Sequence, residues 1–159
     1  MTGCGKSSVG EKLARKIGYE FLDLDKIIVQ REGAPIPEIF ANYGEEYFRQ
    51  CEYNALNEAL LTNQNTKILS CGGGVILAPR NRELLRENST VIWITRAAKL
   101  VLKNQAVLAR PPINGEKSRY LDLLQLRQPM YQETAHFVVK NKKIAVCVRE
   151  ITQLLSLNE

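Results

Sequence analysis

A three-layer α/β/α fold with a short parallel sheet is predicted by three features of this 159-residue chain. Strand-like and helix-like stretches alternate along most of its length. A glycine-rich turn, "GCGKSS", runs directly into a helical pattern near the start. The run "TVIWIT" has the continuous apolar character of a strand covered on both faces. Strands alternating with helices call for parallel strands joined by crossover helices packed on the two faces of the sheet.

Each element has its own local reason. In "SSVGEKLARKIG" the apolar residues Val9, Leu13 and Ile17 recur every four positions, and Gly18 supplies a helix stop. "YEFLDLD" alternates and is rich in strand formers. "KIIVQREG" reads as a short helix ended by Gly33, and "PIPEIFANYG" as a turn followed by another helix. The stretch "EEYFRQCEYNALNEALL" sets Phe48, Cys51, Ala55, Leu56 and Ala59 on one helical face. "TKILS" is a strand running into "CGGG", "RNRELLREN" a helix and "TVIWIT" the next strand. Residues 103 to 117, "KNQAVLARPPINGEK", lose periodicity, gain Pro and Gly, and read as a mobile lid. Helix "SRYLDLLQLRQPMYQ", strand "HFVVK" and helix "AVCVREITQLLSL" follow.

With 45% apolar residues the chain can bury one sizeable core, so a single domain spanning 1–159 is expected. The four cysteines form no CxxC pair and accompany a single histidine, which argues against a zinc site or a disulfide framework and for reduced thiols in the cytoplasm. No apolar run approaches the roughly 20 residues of a spanning helix, so no membrane is expected. The net charge of +5 is dispersed, with "KNKK" at 140 to 143 its only cluster. That pattern hints at anionic ligands and lacks the basic stripe of a nucleic-acid binder.

The chemistry is concentrated in a few places. A phosphate loop follows GxxxxGK[ST]: its amides cradle phosphate oxygens, its Lys meets the outer phosphates, and its hydroxyl meets magnesium. Gly5, Lys6 and Ser7 supply the second half of the pattern, whose first glycine would fall just before Met1. The same letters also suit a plain glycine-rich turn with a Ser cap. In "DLD", if the segment stays extended, Asp23 and Asp25 point to one side, and two carboxylates at the carboxyl end of a strand suit a magnesium ion and an alcohol. Asp25 could equally cap the helix that follows. Gly72, Gly73 and Gly74 let backbone approach something closely, or form a flexible turn. Arg49 has Glu45 as an ordinary i,i+4 partner. Arg110 in the lid, Arg127 two residues before Pro129 near a helix end, and His136 are unremarkable taken alone.

Together, "GCGKSSVGEKLA", "FLDLDKIIVQREG", "IPEIFANYGEEYFRQCE", "LSCGGGVIL", "ARPPI" and "LRQPMYQETA" resemble, in order and spacing, the motifs of shikimate kinases, which are P-loop enzymes similar to nucleoside-monophosphate kinases. The resemblance runs from Met1 to about Val139. It implies that Gly3, Cys4, Gly5, Lys6, Ser7 and Ser8 form the ATP phosphate loop, with Ser7 on Mg2+ and Asp23 holding the metal through water. It implies that Asp25 binds the shikimate hydroxyls beside the attacking oxygen, and that Arg49 and Arg127 grip its carboxylate. Gly73 would touch substrate through its backbone, Phe40 and Phe48 would form an apolar wall, and Arg110 would close on the phosphates from the lid. Residues 26 to 61 would be the substrate-binding segment. The implied reaction is ATP plus shikimate giving ADP and shikimate 3-phosphate, in a cytoplasmic monomer serving aromatic amino-acid biosynthesis. A related gluconate or nucleotide kinase, or a kinase-like module without activity, are the alternatives.

Two departures from that family pattern stand out. "RPPI" lacks the leucine pair that usually follows the proline, and "VVKNKKIA" lacks the acidic, proline-containing turn near the adenine, so no adenine contacts are assigned. In this fold the strand ahead of the phosphate loop is central in the sheet. Without it, the expectation is two unpaired neighbouring strands with a buried slot between them, unless another segment fills the slot.

Overall fold

The computed structural model describes residues 1–62, 66–109, 113 and 115–156. Helix α1 (Lys6–Ile17) leads to strand β1 (Glu20–Asp23), helix α2 (Leu24–Glu32) and the long helix α3 (Ile36–Leu61). Strand β2 (Lys67–Ser70) passes through the glycine turn and a short 3-10 turn (Val75–Leu77) into α4 (Pro79–Asn88). Strand β3 (Ile92–Thr95), the short helices α5 (Ala98–Val101) and α6 (Gln105–Leu108), helix α7 (Lys117–Thr134), strand β4 (Phe137–Lys140) and helix α8 (Ile144–Leu154) complete the chain.

The predicted helix stops hold. Gly18 and Gly33 cap α1 and α2 in the left-handed region, with φ of 71° and 63°, which glycine adopts without steric cost. Gly44, with φ 82° and ψ 176°, breaks α3 into two helical halves, as the sequence divides it. Three details differ from expectation. The extended run ends at Asp23, so Leu24 and Asp25 already belong to α2. Helix α7 continues through Pro129 to Thr134, which places Arg127 inside the helix and not near its end. The stretch 103 to 117 is not structureless. Asn104 accepts a hydrogen bond from the Ala106 amide at 3.0 Å to start α6, and Val107, Leu108 and Ile113 are buried in the core.

The strands form two parallel pairs, β1 with β2 and β3 with β4. A cavity of about 660 Å³ runs between β2 and β3, lined by residues 67 to 70 and 92 to 94. Its walls come from both hydrophobic clusters: Val9, Leu13 and Ile151 from one, Val75, Leu85 and Tyr131 from the other. Among the described residues no segment lies in this slot. That accounts for β3, expected to be covered on both faces, being buried only at Ile94.

Candidate active site

The parallel pairing aligns the carboxyl ends of β1 and β2, with Asp23 opposite Ser70. Open α/β sheets bind ligands at these ends. The phosphate-loop turn sits beside them. Gly3 and Gly5 have φ of 78° and 90°, and neither has room for a side chain: a Cβ on Gly3 would lie 2.6 Å from Val101 Cγ1, and one on Gly5 2.6 Å from Asn141 Nδ2. Helix α1 begins at Lys6 directly after this turn, and a helix start, with its free amides and positive dipole end, is suited to holding phosphate. Lys6 Nζ and Cys4 Sγ both donate to the Met1 carbonyl, each at 3.1 Å. Ser8 is exposed on the first turn of α1.

Asp23, not Asp25, is the cap of α2. Its Oδ1 accepts from the amides of Asp25 at 3.1 Å and Lys26 at 3.4 Å, while Oδ2 accepts from Ser7 Oγ at 3.1 Å. Ser7 Oγ is also 3.3 Å from Ser70 Oγ. This cluster of hydroxyl and carboxylate oxygens at the loop fits a hard cation such as Mg2+, which keeps several waters and takes only one or two protein ligands. Asp25 does not share a strand face with Asp23. It sits in the first turn of α2 and reaches the glycine turn, where a Cβ on Gly72 would come 2.7 Å from its Oδ1.

The glycine turn brings the remaining groups together. Gly74 is bare because a Cβ there would lie 2.9 Å from Arg49 Nη1, and Gly73 packs against the backbone of Met1 and Thr2. Arg49 Nη1 donates to the Gly74 carbonyl and Arg127 Nη1 to the Gly73 carbonyl, both at 3.4 Å. Two guanidinium groups from distant helices thus converge on adjacent peptides beside Asp25. Arg127 Nε is buried without a hydrogen-bond partner among the described residues. Arg49 also lies 5.2 Å above the Phe48 ring, and Phe48 stacks on Phe40 with centroids 4.5 Å apart, which forms an apolar wall next to the charge. Arg110 lies outside the described residues.

Three contributors were missed by the sequence reading. Glu52 is 1% exposed and holds Arg49 Nη1 at 2.9 Å, while the predicted partner Glu45 holds Nη2 at 3.1 Å from the solvent side. Burial raises the Glu52 carboxyl above its ordinary value, and Arg49 partly offsets that. An acid on the apolar face of an amphipathic helix was the signal available for it. Asn141 is buried just after β4 and donates to the Cys4 carbonyl at 2.8 Å, tying the phosphate loop to the far strand pair. Tyr131 Oη donates to the Gly73 carbonyl at 2.5 Å. The Cys71 thiol beside these groups is pushed up to about 12 by burial, so it stays protonated and is no nucleophile. His136, exposed, accepts from the Val91 amide at 3.0 Å and plays no part in the site.

The family described as shikimate kinase matches residues 2–156. The chain belongs to the shikimate kinase family. A shikimate kinase of Paracidovorax citrulli is 35% identical over 163 aligned positions, covering 99% of this chain and 89% of that protein. One of Moorella thermoacetica is 36% identical over 156 positions, covering 96% and 89%. The solved shikimate kinase of Acinetobacter baumannii in complex with shikimate superimposes with a TM-score of 0.87 at 36% identity, over 97% of this chain and 88% of that one. A gluconokinase from Sinorhizobium meliloti, at TM-score 0.62 and 20% identity over 98% of this chain and 87% of that one, shares the fold alone. The reaction of shikimate kinases is ATP-dependent phosphorylation of shikimate with Mg2+.

Proposed function

We propose that this chain transfers the γ-phosphate of ATP to the 3-hydroxyl of shikimate at the junction of the phosphate loop, Asp25 and the glycine turn. The observation that carries the reading is the convergence of Arg49 and Arg127 on the carbonyls of Gly74 and Gly73 beside Asp25. Two forked cations set against a carboxylate select a ligand that bears an acid at one end and hydroxyls at the other.

In this reading Arg49 and Arg127 hold the shikimate carboxylate, Gly73 lies along the ring, and Phe40 and Phe48 cover its apolar edge. Asp25 orients the attacking hydroxyl and takes its proton late, because phosphoryl transfer passes through a loose transition state that needs little early deprotonation. Lys6 and the amides of Gly3 to Ser8 hold the transferring phosphates, and Arg110, by family resemblance, closes on them from the 103 to 117 segment. Ser7 and Asp23 would hold Mg2+, which when bound neutralises phosphate charge. Residues 26 to 61 serve as the substrate-binding segment of one domain.

The reading also takes the enzyme as a cytoplasmic monomer. Four free thiols support that compartment, and among the described residues no helix is long and apolar enough to cross a membrane. A coupled ADP-release assay with shikimate, gluconate and nucleoside monophosphates tests the assignment. Turnover should appear with shikimate alone. ADP release preferring gluconate or a nucleotide would overturn the substrate, and no release with any of them would leave a module without activity.

A further inference from the structure

We infer that Tyr131 is a positioning residue for the shikimate site: by holding the Gly73 carbonyl it fixes the glycine turn and frees Arg127 for the substrate carboxylate. The inference rests on the assignment of Arg127 and the glycine turn to shikimate.

The geometry is specific. Tyr131 follows Arg127 by one turn of α7, so both side chains reach the same side, and both donate to a single acceptor. The two contacts are unequal. Tyr131 Oη lies 2.5 Å from the Gly73 oxygen, whereas Arg127 Nη1 lies 3.4 Å from it, at the weak end of hydrogen bonding. The Tyr131 ring is 7% exposed and stacks on Trp93 with centroids 5.4 Å apart and planes 16° off parallel, so the hydroxyl cannot wander. Burial raises its pKa, which keeps it a donor across the working pH range.

The consequence follows from the planar trans peptide. Fixing a carbonyl fixes the amide of the next residue on the opposite side. Gly72 O accepts from the Val75 amide at 3.3 Å and Gly74 O from the Leu77 amide at 2.9 Å, whereas the donors recorded for Gly73 O among the described residues are both side chains, Arg127 and Tyr131. When a carboxylate draws Arg127 away, the part-buried Gly73 oxygen retains its stronger partner. Without the Tyr131 hydroxyl, every shikimate that took Arg127 would strip that part-buried oxygen of its remaining donor, and an acceptor shielded from water and left unsatisfied is costly. The free protein would bear less of this cost, because Arg127 would still cover the carbonyl, at 3.4 Å.

Tyr131→Phe keeps the ring and removes only the hydroxyl. It should weaken shikimate binding roughly tenfold by calorimetry, in line with the loss of one buried hydrogen bond, and raise KM for shikimate to match. ATP affinity and the emission of Trp93, the sole tryptophan, should stay at wild-type values, and the ligand-free melting temperature should fall by less than the shikimate-bound one. Arg127→Leu, measured alongside, should weaken shikimate further. Equal losses for ATP and shikimate in Tyr131→Phe, or a fall in ligand-free melting temperature with unchanged affinities, would make Tyr131 structural and overturn the inference. Unaltered shikimate binding in Tyr131→Phe with a loss in Arg127→Leu would overturn it while leaving the site intact. Unaltered shikimate binding in Arg127→Leu would overturn the site assignment itself.

Discussion

Arg49 and Glu52 stand one turn apart on α3, with Nη1 2.9 Å from Oε2, and the acid of the pair is almost wholly buried while the cation reaches out to the Gly74 carbonyl. Burial outweighs the attraction of Arg49, so the Glu52 pKa is raised in the folded protein. A raised carboxyl contributes stability that is complete below its unfolded value, about 4.3 for Glu, and that is lost as pH rises through the higher folded value. Glu52→Gln should flatten this component in melting temperatures measured from acid to neutral pH, and should raise KM for shikimate because Arg49 loses its inner tether. An unchanged pH profile would place the titration elsewhere.

If the proposed roles of Lys6 and Asp25 hold, Lys6→Ala and Asp25→Asn should each nearly abolish turnover with the fold retained, since neither side chain is in the buried core. Losses on the order of 10² to 10⁴ in rate are usual for a single positioned catalytic group. Circular dichroism with the coupled assay decides this, and wild-type turnover in either variant removes that residue from the mechanism.

Arg49→Leu and Arg127→Leu should weaken shikimate far more than ATP. Each removes charge-assisted hydrogen bonds to a carboxylate, worth about 1.5 to 3 kcal/mol apiece. Separate titrations of the two ligands give the answer. Equal losses would assign the arginines to the nucleotide or to the scaffold.

The glycines of the turn can be separated by what each one clears. A Cβ at Gly72 meets Asp25 Oδ1 at 2.7 Å, and one at Gly74 meets Arg49 Nη1 at 2.9 Å. Both atoms end flexible side chains, so alanine should displace them at little cost in stability. Gly72→Ala should therefore lower kcat, and Gly74→Ala should raise KM for shikimate. The opposite pattern in steady-state kinetics would exchange the roles of Asp25 and Arg49.

Filling the slot between β2 and β3 should stabilise the sheet and the loop together. An apolar strand-forming segment of about six residues, ending in glycine and joined to Met1, would pair with two open edges and bury its side chains against both hydrophobic clusters, at about 25 cal/mol per Å² of apolar area. Thermal unfolding should shift up by several degrees, and ATP should bind more tightly. No change in either would mean that the slot does not accept a strand.

Outside the segment that holds α5 and α6, the sequence by itself determined the order and type of the main helices and strands, because the signals involved act over four residues or fewer. Repeats of Val9, Leu13 and Ile17, stops at Gly18 and Gly33, the break at Gly44 and the glycine-rich start of α1 all belong to that range. Where two local signals competed, the reading failed. Alternation in "FLDLD" suggested a strand through Asp25, but the carboxylate of Asp23 satisfies the amides of Asp25 and Lys26 and starts the helix two residues sooner. The helix read through Pro129 to Gln132 runs two residues further, to Thr134. Only the tertiary structure decided how the site is held. The contact between Arg127 and Gly73 spans 54 residues, and that between Asn141 and Cys4 spans 137. Glu52, Asn141 and Tyr131 look like ordinary helix and loop residues in the sequence. Their work depends on which buried carbonyl or guanidinium the packed core delivers to them, and that is a property of the assembled sheet ends and not of any local pattern.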